Sequence, residues 1–222
     1  MSHRTRIKIC GLTRGSDIRV AVAAGVDAIG LVFYSASPRY VSPADAAVLM
    51  RDIKPFVSSV GLFVNASPAE VERVVMVAPV SLLQFHGDES AQQCADSAAA
   101  VNRPFLRAIR IGAATTSQDL LEYADTYRAT GPLFAGLLLD TLVEGYGGGG
   151  KVFDWSLIPE ELAPQVVLSG GLRAQNVTDA VVRVRPFAVD VSSGVESAKG
   201  IKDADAVRHF VAAVRHADTL PR

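Results

Sequence analysis

The chain has 222 residues, of which 49% are hydrophobic and 20% charged, and its net charge is −1. This composition can supply a large apolar core but no basic surface for nucleic acid. No apolar run reaches the ~18 residues of a membrane span. We therefore expect the protein to bind neither nucleic acid nor a membrane. The two cysteines, Cys10 and Cys94, are too few for a disulfide framework. Cysteines outside a disulfide framework are typical of a reducing compartment, and no apolar signal core lies near Met1. We therefore expect a cytoplasmic protein.

Short apolar runs alternate with amphipathic stretches from one end of the chain to the other. The runs predicted as strands are residues 7–10, 28–33, 59–64, 82–85, 105–109, 134–140, 166–169 and 188–191. The stretches predicted as helices are residues 16–24, 43–53, 68–77, 89–99, 117–127, 174–184 and 203–214. Ser42-Pro43 and Ser67-Pro68 each place a capping hydroxyl before a first-turn proline, and Thr13 is the predicted cap of the first helix.

This alternation predicts an α/β fold with eight strand–helix units and no linker between them. We therefore expect a single (β/α)8 TIM barrel that forms one domain over residues 1–222, with a short sixth helix near residues 155–158 after a glycine-rich loop. A doubly wound open sheet is the alternative, but eight units favour closure. The pattern does not decide the oligomeric state, and a monomer is our expectation.

Polar residues stand where the predicted strands end. Cys10 ends the first strand, and its thiol is either a small hydrophobic side chain or a proton-transfer group. The other candidates are His86 after the fourth strand, Asp140 at the end of the sixth, Ser169-Gly170-Gly171 after the seventh, and Asp190 with Ser192-Ser193-Gly194 at the eighth, with Arg39 in the second loop. In a barrel all of these meet at one mouth.

Alternation along the first strand points Lys8 and Cys10 inward and Ile7 and Ile9 toward the helices. The first and eighth strands are neighbours in a closed barrel, and a buried lysine needs a carboxylate partner. We therefore predict an ion pair between Lys8 and Asp190 near the barrel axis. A purely structural role for this pair is as plausible as a functional one.

Two adjacent loops have the composition of a phosphate site. Gly170 and Gly171 follow the seventh strand, and Ser192, Ser193 and Gly194 follow the eighth. Backbone N–H groups exposed in such turns bind phosphate, although glycine and serine are also common in ordinary turns. Two such turns side by side favour phosphate binding.

A glycine-rich segment, residues 145–151, has the spacing of a nucleotide-binding P-loop. Val152 stands where that motif requires a serine or threonine for magnesium, so we reject the P-loop interpretation. The four consecutive glycines suit either a mobile cover over the mouth or a plain flexible connection. No paired cysteines or His-x-x-x-His spacing indicates a metal site, and we expect none.

Taken in order, these motifs resemble the phosphoribosylanthranilate isomerase family of tryptophan biosynthesis. The resemblance runs from Lys8-Ile9-Cys10-Gly11 to the segment 190–196 through Ser37-Pro38-Arg39, the segment 84–88, Leu139-Asp140 and Ser169-Gly170-Gly171-Leu172. It departs at Gly149, where the family often has threonine, and this puts the hydrogen bonding of that loop in doubt.

The resemblance implies a cofactor-free Amadori rearrangement of a small phosphoribosyl substrate. It implies that Cys10 is the general base, that Asp140 is the general acid and that Arg39 pairs with the anthranilate carboxylate. It further implies that His86 and Asp190 contact the substrate. The loops with Gly170, Gly171, Ser192, Ser193 and Gly194 would hold the phosphate.

Two other functions compete with this one. A related isomerase of the histidine pathway is expected to have an aspartate where this chain has Cys10, and a repeat between half-barrels that this chain lacks. A non-catalytic phosphate-binding module on the same scaffold would have no reason to keep both Cys10 and Asp140.

Overall fold

Eight parallel strands close into a barrel in the order β1 to β8, in a computed structural model that describes residues 4–142 and 152–221. Because β1 pairs with β8 as well as with β2, the predicted barrel is confirmed and the open sheet is wrong. The strands are β1 Arg6–Cys10, β2 Ala28–Val32, β3 Ser58–Phe63, β4 Leu82–Phe85, β5 Phe105–Ile111, β6 Phe134–Thr141, β7 Val167–Leu168 and β8 Ala188–Val191.

Helices cover the outside of the barrel. They are α1 Gly15–Ala24, α2 Pro43–Leu49, α3 Pro68–Val77, α4 Ala91–Val101, α5 Ser117–Arg128, α6 Ala174–Val184 and α7 Ala204–Thr219. A short antiparallel hairpin, β9 Glu196–Ala198 and β10 Ile201–Lys202, follows β8 and was not predicted. Within the described ranges no helix is long and apolar enough to cross a membrane.

Strand alternation divides the apolar side chains into two groups. Ile7 and Ile9 of β1 join the large core between strands and helices, as predicted. A separate small cluster lies inside the barrel and consists of Leu106, Ala108, Leu138, Val167 and Ala188, with Leu82 packed against it. The polar side chains on the same inward faces therefore lie above this apolar floor, toward the mouth, which we define as the end of the barrel where the strands have their carboxyl termini.

Helix starts follow the predicted caps at two of the three positions. Ser42 and Ser67 accept hydrogen bonds from the backbone N–H of the third helical residue. The prediction for Thr13 is wrong: α1 begins after Arg14, and the Thr13 hydroxyl donates to the carbonyl of Gly200 at 2.6 Å. Thr13 therefore ties the first loop to the β9–β10 turn.

Several helix boundaries differ from the predicted ones. The helix predicted from residue 89 begins at Ala91, because Ser90 is its cap. The second helix ends at Leu49 and continues as the 3₁₀ turn Met50–Asp52, and α7 extends to Thr219. The short sixth helix predicted near residues 155–158 is the 3₁₀ helix Trp155–Leu157, and a second 3₁₀ helix, Ala163–Gln165, follows it. The glycine-rich segment 145–151 lies outside the described residues.

Candidate active site

One cleft opens at the mouth of the barrel, and its empty volume, including solvent at the opening, is about 760 Å³. Its lining includes all ten residues for which a role is predicted, namely Cys10, Arg39, His86, Asp140, Gly170, Gly171, Asp190, Ser192, Ser193 and Gly194. Residues from five of the eight strand ends thus meet in one place.

Cys10 is the last residue of β1, and its side chain is 95% buried, pointing into the barrel. Gly30 lies opposite it on β2, where an added Cβ would approach the Cys10 sulfur to 2.7 Å. The absence of a side chain at Gly30 therefore makes the space that the thiol occupies. Burial raises the pKa of the Cys10 thiol, and the nearby ammonium of Lys8 opposes this without overcoming it.

Lys8 and Asp190 form the predicted ion pair inside the barrel. Their positions are paired in register on β1 and β8, and the Lys8 Nζ to Asp190 Oδ1 distance is 2.8 Å. Burial alone lowers the pKa of Lys8, but the carboxylate of Asp190 and the neighbouring Cys10 outweigh this and raise it. Lys8 is therefore charged, and its charge is committed chiefly to Asp190 rather than to the thiol.

Asp140 is the penultimate residue of β6, and two neighbours hold its carboxyl group. Its Oδ1 accepts a hydrogen bond from the backbone N–H of Thr141 at 2.8 Å, and its Oδ2 lies 3.1 Å from His86 Nε2. The buried Gln84 amide lies 3.0 Å from the other ring nitrogen, His86 Nδ1. With the Gln84 amide donating to Nδ1, the imidazole proton lies on Nε2 and points at Asp140. His86 therefore fixes the orientation of the Asp140 carboxyl group.

The loops after β7 and β8 meet at one side of the cleft. Gly170 and Gly171 adopt φ values of +85° and +64°, a region that favours glycine. Among the described residues, the backbone N–H groups of these two glycines have no acceptor, so they are available to an anion. At Gly194 an added Cβ would lie 1.9 Å from the carbonyl oxygen of Leu172, so this approach of the two loops requires glycine.

Arg39 also lines the cleft, and its partner in this structure was not foreseen. Its Nε and Nη2 both lie 2.8 Å from the carboxylate of Glu196, which also binds Lys202. Sequence reasoning assigned no role to Glu196, Lys202 or Gln84. Glu196 does close the segment 190–196 that carries the family resemblance, which is the one signal that marked it.

No group of three or more histidine, cysteine, aspartate or glutamate side chains in the described ranges is arranged to hold a metal ion. The cleft instead offers a thiol, a carboxyl group, an arginine and exposed amides. Such a set suits proton transfer on an anionic substrate.

The model of the family described as N-(5'-phosphoribosyl)anthranilate (PRA) isomerase matches residues 7–213. The chain belongs to the N-(5'-phosphoribosyl)anthranilate isomerase family. Its identity to the curated isomerase of Herminiimonas arsenicoxydans is 65% over 218 residues, covering 98% of this chain and 96% of the relative. Its reaction is the aldose–ketose isomerisation of N-(5-phosphoribosyl)anthranilate to 1-(2-carboxyphenylamino)-1-deoxyribulose 5-phosphate, in tryptophan biosynthesis.

Solved isomerase structures have the same fold. The Thermotoga maritima isomerase is 40% identical, with a TM-score of 0.84, covering 96% of this chain and 99% of that one. A second isomerase structure contains reduced 1-(o-carboxyphenylamino)-1-deoxyribulose 5-phosphate. It is 37% identical, with a TM-score of 0.80 and the same coverage. The family predicted from the sequence motifs is thus confirmed.

Proposed function

We propose that the cleft performs the isomerisation by general acid–base catalysis, with Cys10 as base and Asp140 as acid. The observation that carries the proposal is that both side chains line one cleft, at the ends of β1 and β6, beside two loops suited to phosphate. We also propose that residues 1–222 act as one domain, because strands from both ends of the chain close the barrel.

The reaction needs one proton donated and another removed. Protonated Asp140 gives its proton to the ring oxygen, the bond from C1 to that oxygen breaks, and a cationic Schiff base forms at C1. The Cys10 thiolate then removes the proton on C2, which gives an enolamine. The enolamine becomes the ketone as C1 gains a proton and the C2 hydroxyl loses one. No covalent bond to sulfur forms in this sequence.

The thiol becomes basic during the reaction rather than before it. Burial raises its pKa in the free enzyme, and Lys8 is engaged by Asp190. Ring opening places a positive charge on the substrate nitrogen, next to the C–H bond to be broken. A nearby cation favours the thiolate, so the Schiff base supports transfer of the Cys10 proton to the Asp140 carboxylate that ring opening leaves behind.

The remaining residues bind the two anionic ends of the substrate. Arg39 receives the anthranilate carboxylate, because a guanidinium presents its donors as a planar fork. The amides of Gly170 and Gly171 and the turn Ser192–Gly194 receive the phosphate. His86 and Asp190 contact the sugar portion between them, and His86 also keeps Asp140 aligned. The reduced product bound in the related structure has the same carboxylate and phosphate ends.

The experiment that tests these roles follows the loss of phosphoribosylanthranilate fluorescence. Asp140→Asn cannot donate a proton to the ring oxygen, and we expect its kcat to fall by about 10²–10⁴-fold with the fold retained. Arg39→Ala should instead raise KM with a smaller change in kcat. Full activity of Asp140→Asn would remove it as the acid, and an unchanged KM of Arg39→Ala would remove the carboxylate contact.

We propose that the isomerase works as a cytoplasmic monomer. The proposed acid, base and anion contacts are all assigned to residues of one chain, so the proposed mechanism calls for no second copy. The two buried cysteines are unpaired thiols, which suits a reducing compartment. Light scattering should give one chain per particle, and specific activity should not change on dilution. A dimer that loses activity when it dissociates would contradict this.

A further inference from the structure

A buried cluster of three charged side chains lies beside the cleft and has no part in the proton transfers. It consists of Arg39, Glu196 and Lys202, whose side chains are 14%, 5% and 1% exposed. Glu196 Oε1 lies 2.8 Å from both Arg39 Nε and Lys202 Nζ, and Glu196 Oε2 lies 2.8 Å from Arg39 Nη2. One carboxylate thus holds two cations in fixed positions.

The charges of this cluster do not cancel. Two cations and one anion leave a net charge of about +1 close to the cleft, which suits one carboxylate of a substrate. The two hydrogen bonds to Arg39 raise its pKa, and the pKa of Glu196 is lowered because Arg39 and Lys202 outweigh the effect of burial. Burial lowers the pKa of Lys202, and the Glu196 carboxylate opposes this without overcoming it. The cluster therefore has its net charge of about +1 below this lowered pKa, where Lys202 is protonated.

The path of the Arg39 side chain depends on this contact and on Gly11. Gly11 has φ +72°, and a Cβ there would lie 2.4 Å from Arg39 Cδ. The arginine stem therefore passes directly over the residue that follows Cys10 and reaches Glu196, 157 positions along the chain. Two of its five N–H donors bind Glu196, and no other acceptor for its side chain exists among the described residues. The remaining donors are available at the cleft.

Lys202 connects the same carboxylate to the loop after β8. Its Nζ donates to the Ser192 carbonyl at 3.1 Å and lies 3.4 Å from the Ser192 hydroxyl. The backbone N–H of Lys202 binds Asp17, which is itself held by Arg14. The hairpin that carries Glu196 and Lys202 is thus anchored independently of the substrate, and so is the guanidinium that it holds.

We propose that Glu196 is a positioning residue that presents the Arg39 guanidinium to a planar carboxylate and thereby sets the preference of the isomerase for carboxylated aryl amines. This inference rests on the proposed contact between Arg39 and the anthranilate carboxylate. Glu196 makes that contact selective because it fixes the direction in which the Arg39 guanidinium points, which the arginine side chain alone does not do.

The test compares two substrates, N-(5-phosphoribosyl)anthranilate and N-(5-phosphoribosyl)aniline, which lacks the carboxylate. The variant is Glu196→Gln, which keeps the shape but replaces one acceptor oxygen with a donor that faces a cation. We expect the ratio of kcat/KM for the first substrate over the second to fall at least about tenfold, mainly through KM of the first. The matched control Glu72→Gln, at an exposed position of α3, should leave the ratio unchanged.

The outcomes separate this inference from the proposed function. A wild-type enzyme that does not prefer the carboxylated substrate overturns both the Arg39 contact and the role of Glu196. A wild-type preference that persists in Glu196→Gln overturns the role of Glu196 alone. A lower KM for the anthranilate substrate in Glu196→Gln would mean that Glu196 competes for Arg39, which also overturns it.

A second variant keeps the test decisive if Glu196→Gln does not fold. Glu196→Asp retains the charge and leaves Arg39 in place, but its shorter side chain cannot hold Arg39 and Lys202 together at 2.8 Å. We expect the same loss of preference, and an unchanged preference would overturn the proposal. Thermal unfolding of each variant establishes that the folded enzyme is being compared.

Discussion

At the scale of single residues, the thiol of Cys10 lies in surroundings that do not make it basic on their own. Burial and the Asp190 carboxylate both disfavour the thiolate, and the ammonium of Lys8 compensates only in part. Cys94, buried in α4, also has its pKa raised by burial, to about 12, although the Arg107 guanidinium opposes the shift. The feature that distinguishes Cys10 is therefore its place in the cleft, beside the position of the developing Schiff base.

The pH dependence of the isomerase follows from the direction of this shift. A base must be deprotonated to act, and the pKa of Cys10 is raised above its ordinary value of 9.0. We therefore expect the limb of the kcat/KM profile that belongs to this thiol to lie above pH 9, since this parameter reports groups of the free enzyme. Ionisation of Cys10 below pH 8, seen as ultraviolet thiolate absorbance that Cys10→Ala loses, would contradict this expectation.

Some residues of the cleft could be predicted from the sequence and others could not. Cys10, Asp140 and the two glycine turns were predictable because strand ends in a barrel converge, whatever the details of packing. The pairing of Arg39 with Glu196 was not, since the two lie 157 positions apart and their contact depends on how two loops fold back. Gln84 opens the segment 84–88 that carries the resemblance, but a buried amide inside an apolar strand gives no signal of the histidine that it contacts.

At the scale of elements, the regular helices and strands were largely predictable and the hairpin β9–β10 was not. The boundaries of α3 and α6 match the predicted ones, because each begins with a strong local signal or has a clear apolar face. The hairpin strands have three and two residues, which is too short for periodicity to detect. They are held instead by distant side chains such as Asp17 and Arg39.

The cap of α3 gives a test of how much one local signal contributes to stability. Ser67 and Glu70 form a reciprocal capping box, in which Ser67 Oγ accepts from the Glu70 N–H and the Glu70 carboxylate accepts from the Ser67 N–H at 2.8 Å. We expect Ser67→Ala to lower the free energy of unfolding by about 1 kcal/mol, measured by urea denaturation. Ser67→Thr is the control, since Thr116 makes the same box at α5. Equal losses in both variants would show that the cap contributes nothing.

At the scale of the whole molecule, the ion pair of Lys8 and Asp190 lies at the seam where the first and last strands close the barrel. Lys8→Met leaves the Asp190 carboxylate buried without its partner, and we expect the free energy of unfolding to fall by about 3–5 kcal/mol. Because the pKa of Lys8 is raised, the stabilisation by this pair is present below pH 10.5 and is lost only at higher pH.

The control for this prediction is an ion pair on the surface. Arg183 and Asp179 pair on α6 with both side chains more than half exposed, so Arg183→Met should change the free energy of unfolding by about 0.5 kcal/mol or less. The double variant Lys8→Met/Asp190→Leu removes both buried charges and should lose less stability than Lys8→Met alone. If Lys8→Met has the same free energy of unfolding as the wild type, the contact between the first and last strands does not depend on this ion pair.

In the proposed reaction the Cys10 thiol removes the C2 proton of the substrate. The presence of two buried cysteines allows this role to be tested directly by comparing the turnover of two variants. Cys10→Ala and Cys94→Ala make the same change at two buried thiols, one in the cleft and one in α4. Turnover of phosphoribosylanthranilate is measured for both variants under conditions where both are folded. The account predicts that kcat falls by at least about 10²-fold for Cys10→Ala and stays near the wild-type value for Cys94→Ala. Wild-type turnover by Cys10→Ala would contradict it.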